Sequence, residues 1–273
     1  MCILKYLLFC CVICISCSHA SLHQKQLMHA LDFSAANSKE LEKVLKHYEH
    51  DSLKLEAAKF LIRNMPHCYS YQQGGEMDSV KRVRTYYSPF GQIDQTYARR
   101  WGHYTYRNLL KIYDAHIITA EYLIDNIDRA FDNWQKRPWN RSLSFEDFCE
   151  YLLPYRIGDE PLEEWRELYE KKYGYLLDSI YKGSDVVEAA NLVSKHLQEP
   201  VFIYCEDFEL PHIGPRYLFS HRYGSCVDAA DIVTYAFRAV GIPCMEDTDA
   251  RGGHVWNVVR DTTGRRSEEH TSE

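Results

Sequence analysis

The stretch from Arg222 to Asn257 constrains this chain more than any other part of it. Gly224 and Ser225 offer a break and an N-cap. Cys226 then opens an apolar run, Val227, Ala230, Ile232, Val233, Ala236, Phe237 and Val240, at the spacing of a buried helix. Gly241 suits a left-handed C-terminal residue and Pro243 forbids continuation, so a helix from Cys226 to Val240 is expected. A thiol on the first turn of a helix meets the positive end of the macrodipole, which favours thiolate, the nucleophilic form. Downstream, Gly252 and Gly253 permit unusual backbone angles just before His254. His254-Val255-Trp256-Asn257-Val258-Val259 has strand character, with His254, Trp256 and Val258 on one face. Asp261-Thr262-Thr263-Gly264 reads as the turn that ends the strand. A cysteine at a helix start and a histidine on a strand is the layout of a nucleophile and its base.

These residues carry a family resemblance. Gly224-Ser225-Cys226, Arg238-Ala239-Val240-Gly241-Ile242-Pro243 and Gly253-His254-Val255-Trp256 resemble, in order and in spacing, the core motifs of the transglutaminase-like superfamily. The region before them resembles secreted transglutaminase-like proteins of Bacteroidales. The resemblance implies a papain-like Cys-His-Asp site on a helix packed against an antiparallel sheet, with no metal and no cofactor. In that reading Cys226 attacks an amide or acyl carbonyl, and His254 takes the thiol proton and later delivers it to the leaving amine. The substrate class is protein or peptide, glycan-linked in some cases, with hydrolysis favoured over cross-linking. His221 and Tyr223, close to Cys226 in sequence, and Trp256, beside His254, are candidates for lining the cleft or reaching an oxyanion. Asp228 reads as a first-turn carboxylate favoured by the dipole, not as the triad acid.

The family's third residue, usually Asp, sits on a strand well past the histidine. Here Arg266-Ser267-Glu268-Glu269-His270-Thr271-Ser272-Glu273 follows, which lacks strand character and resembles the translation of a sequencing-library adapter. The genuine sequence is therefore expected to break off near Gly264 or Arg265, with the triad acid missing, the core incomplete and activity weak. Asp261 is too close to His254 to replace the acid. A natural polar tail is the alternative reading.

At the other end, Lys5 precedes an apolar stretch from Tyr6 to Ile15, too short to span a bilayer comfortably and suited to an export signal. Ile15-Ser16-Cys17-Ser18 resembles a bacterial lipoprotein box with Cys17 as the lipidated residue, although Cys14 stands where leucine is usual. Ser18-His19-Ala20 would serve ordinary signal peptidase. Either site sends the protein to the periplasm or cell surface, and the first anchors it by lipid. A net charge of −7 without a basic run gives no support to nucleic-acid binding. Outside the signal region, Cys68, Cys149, Cys205, Cys226 and Cys244 are odd in number and irregularly spaced. That fits one reactive thiol among buried ones better than a disulfide framework, and no pair has zinc-finger spacing.

Between these ends, from Leu22 to Lys182, the pattern is helical. Asn37 with Glu40 suggests a capping box, Asp51 caps a helix stopped by Pro66, and a run from Ala120 to Trp134 ends before Pro138. Ser144 with Asp147 caps a short helix, and Pro161 starts another holding Leu162, Trp165, Leu168 and Tyr169. Residues 68–95 read as a long loop and Pro211 to Tyr223 as irregular. Ser184 opens a helix with Val187, Ala190, Val193 and Leu197 that marks entry to the catalytic module, and Val201 to Tyr204 suits a short strand. The expected class is α+β: a signal peptide over 1–20, a helical region over 21–183, an incomplete transglutaminase-like core over 184–265 and a tail over 266–273. Two rival classes stand beside the enzyme: a non-catalytic surface lipoprotein binding peptide or glycan through the same cleft, and a Cys/His metal site.

Overall fold

The computed structural model describes residues 22–75, 77–79, 81–82, 106–199, 202–204, 211–250, 253–261, 263 and 266–269. The stretch expected to be an export signal, with Cys17, and Cys205 lie outside them. The chain mixes helix and sheet, as the α+β expectation has it, and divides into two units. Among the described residues no helix is long and apolar enough to cross a membrane.

The first unit comprises residues up to Cys68 together with Tyr113–Ala120. It holds α1 (22–33), α2 (Ser38–His47) and α3 (Ser52–Asn64). Asp51 caps α3 as expected, its carboxylate accepting from Lys54 N at 3.1 Å. At α2 the capping box does not form. Asn37 occupies the N-cap position, but its side chain donates to Ala115 O and Ile118 O at 3.0 and 2.9 Å, and Glu40 accepts from Ala120 N at 2.9 Å. Main-chain groups of the 113–120 return segment must be satisfied, and they take the side chains that a cap would have used.

The second unit comprises Tyr69–Ile112 and the chain from Glu121 onward. Its elements are β1 (Tyr69–Tyr71), paired with β2 (Lys111–Tyr113), then α4 (Ala120–Lys136), α5 (Phe145–Tyr151) and α6 (Arg166–Tyr175), which continues in a π turn, Leu176–Ile180. After these come α7 (Val186–Leu197), β3 (Ile203–Tyr204), α8 (Pro215–Ser220), β4 (Tyr223–Gly224), α9 (Cys226–Val240), β5 (Cys244–Thr248), β6 (Val255–Arg260) and β7 (Arg266–Glu269). Residues 121–183 and 184–261 thus build one body. The helix expected from Pro161 begins only at Arg166. Glu163 is held from outside, its carbonyl accepting from Tyr122 Oη at 3.1 Å and its carboxylate from Arg216 N at 3.0 Å. Pro215, with its φ already near a helical value, starts α8 inside the stretch expected to be irregular.

Helix α9 is the axis of this body, apolar on nearly every side and buried accordingly. Gly241 ends it at φ +84°, the left-handed residue the sequence called for. The last carbonyls of a buried helix need donors, and the amino-terminal helices supply them. Arg166 reaches Arg238 O at 3.2 Å, Asn133 reaches Ala239 O at 3.1 Å, Arg137 reaches Val240 O at 2.8 Å, and Trp139 and Asn140 both reach Gly241 O at 2.9 Å. Two of these donors are cations at the negative end of the dipole.

The sheet order is β5-β6-β7, all antiparallel. The turn at Gly241 sends β5 back along α9, and the register from Cys244↔Val259 to Thr248↔Val255 brings β6 forward again, parallel to the helix. Residues 266–269, expected to lack strand character, pair with β6 from Arg260↔Arg266 to Asn257↔Glu269. An open sheet edge presents unpaired N–H and C=O groups to any extended segment, so main-chain pairing does not require strand-like side chains.

Candidate active site

Cys226 is the first residue of α9 and is 9% exposed. Ser225 is the N-cap residue, and Asp228 reaches back to it, its carboxylate accepting from Ser225 N at 2.8 Å and from Ser225 Oγ at 3.2 Å. Asp228 is therefore a cap residue, as its first-turn place suggested. These two bonds fix the backbone on either side of the thiol and leave the sulfur outside the bonding pattern.

His254 is half-buried and directly precedes β6. Its carbonyl accepts from Asp249 N at 3.1 Å and Thr248 Oγ1 at 3.0 Å, which closes the β5–β6 turn. Because β6 runs parallel to α9, the start of the strand and the start of the helix lie at the same end of the layer, so Cys226 and His254 share that end. The faces of the strand are set by Asn257, wholly buried, whose amide donates to Ala230 O at 3.0 Å and Thr234 Oγ1 at 2.9 Å on α9. Alternation puts Val255 and Val259 on that helix-facing side, and Trp256 and Val258 on the other, where the His254 ring also lies, so the structure brings Cys226 and His254 to one end of the layer but does not aim the imidazole at α9. The His254 ring stacks on Trp256, with centroids 5.9 Å apart and planes at 28°. No hydrogen bond joins Cys226 to His254 among the described residues.

The remaining candidates fall at varied places. Tyr223 is fully buried in β4. The His221 ring stacks on Tyr217 at 4.4 Å, and its Nδ1 lies 3.1 Å from Tyr217 O, which engages it with α8. Trp256 Nε1 is buried without a hydrogen-bond partner. Of the other described cysteines, Cys149 and Cys244 are buried and Cys68 is partly exposed. Burial pushes the Cys244 thiol up to about 12, which makes it inert. No described group of three His, Cys, Asp or Glu side chains is arranged to hold a metal ion.

One polar cluster escaped the sequence reading. His212 Nδ1 lies 2.8 and 3.0 Å from the two oxygens of Asp231, which is wholly buried in the middle of α9. Its backbone N donates to Asp159 at 2.9 Å. Burial works against a charged imidazole here, but the Asp231 carboxylate outweighs it and His212 titrates well above its ordinary range. Glu246 on β5 accepts from Thr234 Oγ1 at 3.0 Å; burial, and then the Asp231 charge, push it well up, whereas at Asp231 burial also raises the pKa but the facing His212 opposes it, so of the two carboxyls Glu246 is the one that keeps its proton. The one signal in the sequence was an aspartate within an apolar helical run, since a buried acid must find a partner. A histidine held protonated cannot take a proton from a thiol, so this pair is a clamp between the 211–214 segment and α9.

No protein-family model, no curated protein and no solved structure matches the chain.

Proposed function

We propose that this protein is a cysteine-dependent enzyme of the transglutaminase-like kind, acting on amide bonds of protein or peptide substrates by acyl transfer, with water as the preferred acceptor. The observation that carries the reading is the placement of Cys226 on the first turn of α9, at the end of the layer where His254 leads into β6. In the reaction Cys226 Sγ bonds to the carbonyl carbon while His254 accepts the thiol proton. The C–N bond then breaks, the amine leaves with that proton, and water cleaves the thioester. The Cys226 backbone N–H, unbonded within the helix at its first turn, is suited to the oxyanion. The imidazole has to leave its stack on Trp256 for this, a movement that a residue just outside the strand can make more easily than one within it. The export signal adds that the enzyme works outside the cytoplasm, at the periplasm or cell surface.

Acyl-enzyme trapping tests this. Incubation with an activated peptide ester followed by intact-mass and peptide mapping should place the acyl group on Cys226. Cys226→Ala should abolish the adduct, and His254→Gln should slow its formation by about 10²–10⁴-fold. An adduct shared equally with Cys68, or turnover that survives Cys226→Ala, refutes the proposal. The stacking of the His254 ring on Trp256 favours a second reading, a non-catalytic exported protein that holds peptide or glycan in the same cleft; unlabelled Cys226 with measurable peptide binding is its signature.

A further inference from the structure

Beside the residues that cap the carboxyl end of α9, about 20 Å along that helix from Cys226, lies an open recess of about 420 Å³. Three cations line it: Lys136 at the end of α4, Arg137 after it, and Lys182 beyond the π turn. One carboxylate, Asp178 within that turn, lines it too and ties the cations together. Its Oδ1 accepts from Arg137 Nη1 and its Oδ2 from Lys136 Nζ, both at 2.8 Å, and its backbone carbonyl accepts from Lys182 Nζ at 2.7 Å. Burial works against its charge, but the bonds from Lys136 and Arg137 outweigh burial and hold its carboxyl below the usual range. Three positive charges thus meet one negative charge in the recess, an excess of two. Tyr181 also lines it, but its hydroxyl is engaged by Asp185 and Glu188, so it contributes a ring face and no donor.

Arg137 is the fixed point. Its side chain is 4% exposed and held by three bonds, Nε to Val240 O and Nη1 to Leu177 O and Asp178 Oδ1. The two carbonyl bonds answer helix ends. Its Nη2 makes no bond among the described residues and stays open to solvent, so a guanidinium locked in place presents one unused nitrogen to the recess. Lys136 and Lys182 each give one N–H to Asp178 and keep two more. These donors select the ligand. A planar carboxylate is held best by parallel N–H groups on two neighbouring guanidinium nitrogens, and here Nε and Nη1 are already taken. One nitrogen of Arg137 flanked by two ammonium point charges matches an anion whose oxygens diverge tetrahedrally. The excess of two charges matches a dianion.

We propose that this recess binds the dianion of a phosphomonoester, its oxygens shared among Arg137 Nη2, Lys136 Nζ and Lys182 Nζ and its stem against the half-buried Pro138 and Tyr181. The site lies at the opposite end of α9 from the thiol and stands or falls apart from the acyl chemistry.

Titration calorimetry on the full chain, at matched ionic strength, tests this with methyl phosphate against acetate. Methyl phosphate should bind at least about tenfold tighter than acetate at pH 7.5 and lose that advantage at pH 5, where the phosphate regains its second proton, with a pKa of about 6. Lys136→Gln and Lys182→Gln, both at exposed positions, should each weaken methyl phosphate about tenfold, the range for a hydrogen bond between charged groups. Lys171→Gln, an exposed change on α6 outside the recess, should leave it unchanged. Arg137→Gln should abolish binding; if that variant folds poorly, the lysine variants carry the test. Inorganic phosphate, glycerol phosphate, and phosphatidylcholine vesicles carrying phosphatidic acid then distinguish the free ion, a soluble ester and a lipid headgroup as the source. Methyl phosphate bound no tighter than acetate, binding that does not strengthen from pH 5 to pH 7.5, no loss in either lysine variant, or an equal loss in Lys171→Gln overturns the proposal.

Discussion

Replacing Asp231 with alanine probes the buried clamp most directly. The carboxylate is wholly inaccessible and meets His212 Nδ1 at 2.8 Å. Removing one partner of a buried charged pair costs about 3–5 kcal/mol. His212 keeps 23% of its side chain exposed and can shed its proton, so the lower end, about 3 kcal/mol, is expected at pH 6. The pH dependence has a definite sign. His212 has a folded pKa raised above its unfolded value of 6.5, so its contribution is complete below that value and fades as pH rises through the folded one. Glu246 is also raised, from 4.5, so the folded state again holds a proton that the unfolded chain has released. Without Asp231 the cluster has less reason to retain either proton, and the cost of the substitution should shrink toward pH 9. Urea unfolding at the two pH values, with unchanged m, reads this out. A double-mutant cycle with His212→Gln should give a coupling of about 0.5–3 kcal/mol at pH 6. A cost that is the same at both pH values, or a coupling indistinguishable from zero, would refute the assignment of charge within the cluster.

Two glycines give further tests. Gly158→Ala would place a Cβ 2.3 Å from Cδ2 and Nε2 of the His212 ring, so the ring must move and its contact with Asp231 is disturbed; a loss of about 1–3 kcal/mol is expected, with a flatter stability–pH profile than wild type. Gly241→Ala forces a left-handed alanine at φ +84° and sets its Cβ 2.9 Å from the Asn133 carbonyl oxygen. The conformational term of about 1 kcal/mol and the clash should together cost about 2–4 kcal/mol in a denaturation midpoint series.

Helix α9 was legible because its ends carry their own signals: Ser225 caps it from within one turn, and Gly241 needs only its own backbone to stop it. Asp51 and Ser144 were legible for the same reason, each bonding an N–H three residues on. Asn37 was not, because its amide serves carbonyls 78 and 81 residues away, and no local pattern encodes that. The late start of α6 has the same origin, since Glu163 answers to Tyr122 and Arg216 and not to its neighbours. Strand β7 was missed in another way: its pairing to β6 is main-chain pairing at an edge, to which side-chain pattern contributes little.

The site divides along the same line. Cys226 and His254 could be picked out because motif and spacing are local properties, whereas what places them at one end of the layer is not. That placement depends on Asn257. Its amide bonds to Ala230 and Thr234 fix how far along α9 the strand lies. Thr234 in turn holds Glu246, the residue opposite Asn257 in the β5–β6 register. A slip of β6 by two residues keeps its faces but moves it by about 6.6 Å and breaks both amide bonds. A slip of one residue turns Asn257 away from the helix altogether. The position of His254 along α9 is therefore set by a buried polar lock three residues downstream, at a residue that no reading of the Cys-His pattern would have singled out.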